Sequence, residues 1–101
     1  MKVTDEYSLP FEVNFGRLSS ALRSRFTVDE SDRGCVKKYF LTRRCAGVEY
    51  TGFVSIVSRD NNSTVGINSD SEIIPMINSS IYAGIARSVS REMERLQEIL
   101  Q

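Results

Sequence analysis

The stretch Glu72–Gln101, EIIPMINSSIYAGIARSVSREMERLQEILQ, predicts one long amphipathic helix around which the rest of the chain is organised. On a wheel of 3.6 residues per turn, its apolar side chains fall within one arc of about 160°. They are Ile74, Ile77, Ile81, Tyr82, Ile85, Val89, Met93, Leu96, Ile99 and Leu100. Pro75 is tolerated only in a first turn, so the helix is predicted to begin near it, with Asp70 or Ser71 as its cap.

The predicted helix is longer than a domain of this size can cover. About 27 helical residues span roughly 40 Å, whereas a domain of about 100 residues has a radius of gyration of only about 13 Å. Its apolar end is therefore predicted to form a homodimer contact, made by Val89, Glu92, Met93, Leu96, Ile99 and Leu100. Glu92 lies inside the apolar arc, so it either has left the core or meets an arginine across the interface. Gly84 either allows close approach of another element or is simply tolerated.

The segments before this helix predict a sheet and one short helix. Alternation predicts a strand over residues 7–15, and because Pro10 lacks a backbone donor, this strand either lies at a sheet edge or begins after the proline. Helical spacing predicts a helix over 17–27. After a polar loop at 29–34, strands are predicted over 36–43, 48–58 and 64–68. Turns are expected at 45–47 and 60–62. On the strand at 48–58, Phe53 and Val57 lie on the face opposite Val54 and Ile56, so neither face is wholly polar.

The predicted fold is therefore α+β, with a single domain over 1–101 and the order β-α-β-β-β-α. An antiparallel sheet of about four strands is expected, with the long C-terminal helix across one face. The predicted core comprises Leu9, Phe11, Val13, Leu22, Phe26, Val54, Ile56, Ile67, Ile77, Ile81 and Ile85.

Charge is balanced over the whole chain but unevenly distributed. The 13 basic and 13 acidic residues cancel, yet residues 17–44 contain eight Lys or Arg and three acids. Such a segment favours an acidic partner, although solvated charges on exposed faces give the same pattern. The predicted partner-binding residues are Arg33, Lys37, Lys38, Tyr39, Arg43 and Arg44.

Residues that carry common enzyme chemistry are missing or isolated. The sequence contains no histidine, the commonest general base and metal ligand. Its two cysteines, Cys35 and Cys45, flank one predicted strand, which holds them roughly 33 Å apart, too far for a disulfide. We therefore predict no catalytic, cofactor-binding or metal-binding residue, and no enzyme. Two free thiols and the lack of an apolar run of 18 residues or of a secretory signal predict a cytoplasmic protein without a membrane partner.

The predicted order helix, three strands, helix is similar to that of double-stranded-RNA-binding domains. With the strand in front, it also resembles the cold-shock and hibernation factors that bind the small ribosomal subunit. The double-stranded-RNA family carries Lys-Lys-x-Ala-Lys at the start of its second helix, where this chain has Ile73-Ile74-Pro75-Met76-Ile77. No phosphate-binding residue can be carried over, and no family is assigned.

Two functions fit these features. The first is a non-enzymatic regulatory or adaptor protein, such as an inhibitor from a phage or mobile element or a secretion chaperone, which binds another protein. The second is an RNA-binding module that uses the basic segment, specifically Arg17, Arg23, Arg25, Lys37, Lys38, Tyr39, Arg43 and Arg44. Zero net charge favours the first, because dedicated nucleic-acid binders are usually basic overall.

Overall fold

The computed structural model describes the backbone of residues 1–100 and the side chains of residues 1–86 and 93–100. Its elements are β1 (Lys2–Leu9), α1 (Phe15–Arg23), β2 (Thr27–Arg33), β3 (Val36–Cys45), β4 (Val48–Arg59), β5 (Asn62–Asp70), a 3₁₀ turn (Ser71–Ile73) and α2 (Ile74–Leu100). One antiparallel sheet holds all five strands in the order β1-β5-β4-β3-β2. The predicted α+β class is confirmed, with five strands in place of about four.

Tight turns join the consecutive strands from β2 to β5. Ala46 and Gly47, between β3 and β4, have φ angles of 51° and 78°, and Asp60 and Asn61, between β4 and β5, have φ angles of 53° and 65°. Two successive positive φ values suit a two-residue hairpin loop, because such loops match the right-handed twist of the flanking strands. Both predicted turns are confirmed.

The strand predicted over 7–15 is wrong in its position. β1 ends at Leu9, just before Pro10, and pairs with β5 at one edge of the sheet, with Tyr7 opposite Val65. Asn14 instead caps α1, since its side-chain oxygen accepts a hydrogen bond from the Arg17 backbone N–H at 3.0 Å. Of the two predicted alternatives, the edge position is confirmed and a start after Pro10 is wrong, since β1 is an edge strand that ends before the proline, which has no backbone donor.

The predicted helix over 17–27 extends too far, because α1 ends at Arg23. The loop predicted at 29–34 is wrong, because β2 occupies most of it. β2 lies at the other sheet edge and pairs with β3. Its side chains facing the helices are Val28, Glu30 and Asp32, since each lies opposite a residue of β3 on that face. Only one of the three is apolar, so hydrophobic periodicity does not detect the strand. Four strands, rather than three, therefore separate the two helices.

Both helices pack on one face of the sheet and enclose the core. Its buried apolar residues are Val13, Leu18, Leu22, Phe26, Tyr39, Leu41, Val54, Ile56, Val65, Ile67, Ile73, Ile77 and Ile81. Of the predicted core, Leu9 and Ile85 are only partly buried. Phe11 is 36% exposed and was wrongly predicted as core, because it follows the end of β1.

The two helices approach each other closely at Gly84. A Cβ atom added to this buried glycine would lie 3.4 Å from Leu18 Cβ and 3.5 Å from the Asn14 carbonyl oxygen. Arg25 adds a further contact just after α1, where its Nη1 donates to the Met76 carbonyl oxygen at 3.3 Å. The predicted close approach at this glycine is confirmed, and the partner is α1.

Candidate interaction surfaces

The sheet face opposite the helices is open, and we call it the outer face. Strand register defines six rows across it, because residues directly opposite each other share a face. From one end to the other, these rows are Arg44-Glu49, Thr27-Thr42-Thr51, Asp29-Phe40-Phe53-Asn68-Thr4, Ser31-Lys38-Ser55-Gly66-Glu6, Arg33-Val36-Val57-Thr64-Ser8 and Arg59-Asn62. The Lys2-Asp70 pair of β1 and β5 lies on the same face. Hydroxyl, amide and charged side chains outnumber apolar ones on the outer face.

Two exposed phenylalanines lie at the centre of the outer face. Phe40 on β3 and Phe53 on β4 are directly opposite each other in the register. Their side chains are 48% and 39% exposed. Beside them is a shallow depression of about 290 Å³, which Asn68 and Lys2 also line. The outer face therefore offers an aromatic pair with a shallow depression at its side.

The cations of the outer face fall into two groups. Lys2 and Arg44 are neutralised: Lys2 Nζ lies 3.7 Å from Asp70 Oδ2, and Arg44 Nη2 lies 3.3 Å from Glu49 Oε2. The second group, Arg33, Lys38 and Arg59, lies toward the end of the sheet that carries the β2–β3 and β4–β5 turns. Within the described residues, none of these three side chains forms an ion pair or a side-chain hydrogen bond.

The end of α2 forms a second candidate surface, which we call the α2 tail (93–100). Every residue of the tail is exposed. Its four apolar side chains, Met93, Leu96, Ile99 and Leu100, are 57–83% exposed. The molecule is elongated, with principal extents of 55 × 25 × 20 Å. Of the predicted dimer contacts, Val89 and Glu92 lie outside the residues whose side chains are described.

Ionic contacts on the helix-covered face join β2, β3 and α1. Lys37 Nζ lies 3.1 Å from Glu30 Oε2 and 3.0 Å from Asp32 Oδ1, while Arg23 Nη2 lies 3.0 Å from Glu30 Oε1. Burial raises the pKa of Glu30, but hydrogen bonds from Lys37 and Ser19 and the charges of Lys37 and Arg23 outweigh it and lower that pKa overall. The hydrogen bond to Asp32 is the main cause that raises the pKa of Lys37.

The predicted partner-binding residues do not form one surface. Arg33, Lys38 and Arg44 lie on the outer face, whereas Lys37 and Arg43 lie on the helix-covered face. Arg43 Nη1 donates to the Arg25 carbonyl oxygen at 2.7 Å.

Tyr39 is also on the helix-covered face, and its ring is buried beneath α1. Its exposure is 0%, and its hydroxyl lies 2.9 Å from Ser19 Oγ. Tyr39 was wrongly predicted as a surface contact, because strand alternation turns it toward the core.

Sequence reasoning missed Phe40, Phe53, Asn68 and Arg59 as surface residues. A signal existed in the strand at 48–58, where apolar residues occupy both faces. Strand register was needed to interpret it, because only register brings residues of different strands into one row.

Other classes of site find little support in the described residues. Cys35 and Cys45 are free and exposed, at opposite ends of β3. Within the described part of the chain, no cluster of three or more Cys, Asp or Glu is arranged to hold a metal ion. None of the described helices is long and apolar enough to span a membrane.

Comparison with protein families, with curated proteins and with solved structures found no match. The geometry of these surfaces is therefore the basis for assigning a function.

Proposed function

We propose that this chain is a non-enzymatic regulatory or adaptor protein that acts by protein–protein binding, and that it forms a homodimer through the C-terminal part of α2. The observation that carries the proposal is the α2 tail. Four large apolar side chains within eight residues are exposed there. Contiguous apolar surface of this kind usually marks an interface.

The spacing of these side chains favours another helix as the partner. Tyr82, Val89, Met93, Leu96 and Leu100 follow intervals of seven, four, three and four residues. This is the heptad spacing of a coiled-coil seam, in which apolar residues recur every 3.5 residues on average. Among the described side chains of this series, Tyr82 is exposed as well as those of the tail.

A second copy of the chain is the occupant that this stripe fits best. A two-fold dimer brings identical surfaces together, so one apolar stripe supplies both halves of the interface. A short seam is marginal in an isolated helix. Here the start of α2 is held by its packed residues Ile77 and Ile81, so only the tail must find a partner.

The charged groups near α1 support a role without catalysis. A general acid or base needs a pKa near the operating pH. Hydrogen bonds to Asp32 and Glu30 instead raise the pKa of Lys37, and contacts from Lys37, Ser19 and Arg23 lower the pKa of Glu30 against the effect of burial, which keeps both groups charged near neutrality. These groups act as structural ion pairs in the proposed function, and histidine is absent from the sequence.

Substitution within the α2 tail tests the dimer. Leu96→Lys places a charge in the apolar stripe, whereas Glu98→Lys introduces the same side chain on the opposite side of the helix. We expect sedimentation equilibrium to give a monomer for Leu96→Lys and a dimer for wild type and Glu98→Lys. A wild-type chain that is monomeric at high micromolar concentration would exclude the homodimer and assign the stripe to a different protein.

Truncation after Ser90 provides an independent test of the same surface. The described core lies in residues 13–81, so the shortened chain should keep a cooperative thermal unfolding transition while becoming monomeric. A shortened chain that remains dimeric would place the interface elsewhere on the molecule.

A further inference from the structure

We propose that the outer face binds single-stranded nucleic acid, with bases stacked on Phe40 and Phe53 and phosphates held by Lys38, Arg33 and Arg59. This inference goes beyond the proposed function and does not depend on dimerisation, because the α2 tail and the outer face belong to different elements. The juxtaposition of an exposed aromatic pair with unpaired cations on an uncovered sheet carries the inference.

The aromatic pair has the form of a stacking platform. Directly opposed residues have Cβ atoms about 4.5–5.5 Å apart, so the two rings form one continuous apolar site. The described chain leaves both rings partly in solvent instead of covering them. Every base has a π-face, and base stacking on exposed aromatic side chains is a general mode of single-strand recognition.

The unpaired cations extend from this platform along the strands. Lys38 is two residues from Phe40 on the same face of β3, about 6.7 Å away along the strand. Arg33 lies one row further, opposite Val36, and Arg59 occupies the final row on β4. The cations and the rings together cover roughly 20 Å along the strands, a length that several nucleotides of an extended strand can follow.

Asn68 supplies a polar group at the edge of the platform. It lies directly opposite Phe53, is exposed, and lines the depression beside the rings. Its side-chain amide makes no hydrogen bond within the described residues. An amide carries both donors and an acceptor, which suits contact with the edge of a stacked base.

The composition of the outer face favours nucleic acid over a protein partner. Protein interfaces concentrate apolar residues at their centre, whereas the rows around the two rings consist mainly of threonine, serine and asparagine. The zero net charge of the whole chain does not prevent the outer face from binding phosphates. Asp70 and Glu49 are already paired, and the three unpaired cations outnumber the two remaining acids, Glu6 on β1 and Asp29, which lies beside Phe40 on β2.

Fluorescence anisotropy with labelled ten-nucleotide uridine and deoxyuridine oligomers tests the platform on the full chain. We expect salt-sensitive binding of at least one oligomer, and we expect Phe40→Leu/Phe53→Leu to weaken it at least about tenfold, because stacking is lost while apolar bulk is retained. Phe11→Leu is the matched control, since Phe11 is similarly exposed but lies outside the sheet. A uridine oligomer that binds more tightly than a deoxyuridine oligomer of the same length would indicate contacts to the 2′-hydroxyl, and equal binding would indicate base and phosphate contacts alone.

A salt titration tests the cations separately. Each phosphate contact contributes about 0.7 to the slope of log affinity against log salt for a single strand. Lys38→Gln/Arg59→Gln should therefore reduce the slope by about 1.4, whereas Arg17→Gln/Arg25→Gln, outside the outer face, should leave it unchanged.

Three outcomes would overturn the inference: no binding of either oligomer at 50 mM salt, equal weakening by Phe11→Leu, or unchanged affinity in the double leucine variant. Absence of binding would instead favour a protein partner for the outer face. None of them bears on the dimer, which the Leu96→Lys variant tests separately.

Discussion

The hydroxyl of Tyr39 lies 2.9 Å from Ser19 Oγ and ties the middle of β3 to α1. Burial of this phenol raises its pKa, so the hydroxyl stays protonated and available for the bond. A tyrosine at the centre of the basic segment thus contributes to the core, and the nearby Lys37 ammonium lies 5.7 Å from the centre of its ring.

Removal of this hydroxyl should destabilise the fold modestly. Tyr39→Phe deletes the bond and leaves Ser19 Oγ without its partner, which is expected to lower the free energy of unfolding by about 1 kcal/mol. Tyr50→Phe is the control, because the Tyr50 hydroxyl makes no hydrogen bond within the described residues and its removal should change stability little. Urea denaturation measures both. Equal effects of the two substitutions would show that the bond to Ser19 contributes nothing.

Substitution of Lys37 should lower the free energy of unfolding more than substitution of an exposed cation does. The side chains of Lys37 and Glu30 are only 14% and 18% exposed, so Lys37→Met leaves a poorly solvated carboxylate with one partner fewer. We expect the free energy of unfolding to fall by about 1–3 kcal/mol. Arg44→Met breaks the exposed pair with Glu49 and should cost less than about 1 kcal/mol. Similar losses in thermal or urea unfolding would contradict this ranking.

Acid should weaken the fold through Glu30. Because its pKa is lowered from the ordinary 4.5, ionised Glu30 contributes stability that is present above pH 4.5 and is lost as the pH falls through the lowered native value. The stability difference between wild type and Glu30→Gln should therefore be constant near neutrality and shrink below pH 4.5.

Some acid sensitivity should remain in the Glu30→Gln variant. The Thr51 backbone N–H donates to Asp70 and lowers the pKa of that carboxyl as well. Urea midpoints between pH 7 and pH 2 measure both effects. A difference between the two proteins that does not change with pH would rule out the contribution of Glu30.

Gly52 should tolerate no side chain. A Cβ added there would lie 2.8 Å from Ser69 Oγ and 3.2 Å from Ile77 Cδ1, between the sheet and α2. Overpacking of this kind typically costs about 1–3 kcal/mol. Gly66→Ala is the matched control on the neighbouring strand, since its Cβ would meet only the Ser55 carbonyl oxygen at 3.9 Å. Thermal unfolding should separate the two variants, and a harmless Gly52→Ala would contradict the packing described.

Several elements follow from local sequence. The 3.6-residue period beginning near Pro75 predicts α2, and β-branched and aromatic residues predict most of β3 and β4. Asp60 and Asn61 predict their turn, because such residues adopt positive φ readily. Each of these signals lies within a few consecutive residues, and backbone preferences and side-chain period act at that range.

Tertiary structure decided the two edge strands and the arrangement of the surfaces. β1 gains its backbone partners from β5, about 60 residues away along the chain, and β2 tolerates Glu30 and Asp32 on its inner face because Lys37 and Arg23 neutralise them. Neither the pairing of β1 with β5 nor these ion pairs can be inferred from the pattern of consecutive residues.

The basic segment and the outer face illustrate the same limit. Composition shows eight cations within residues 17–44, but strand alternation sends Lys37 and Lys38 to opposite faces of the sheet. Register between β3 and β4 brings Phe40 beside Phe53. The sequence by itself thus determined the class of fold and its strongest elements. Which charges and rings share a surface was decided only by strand pairing, because it depends on contacts between residues distant along the chain.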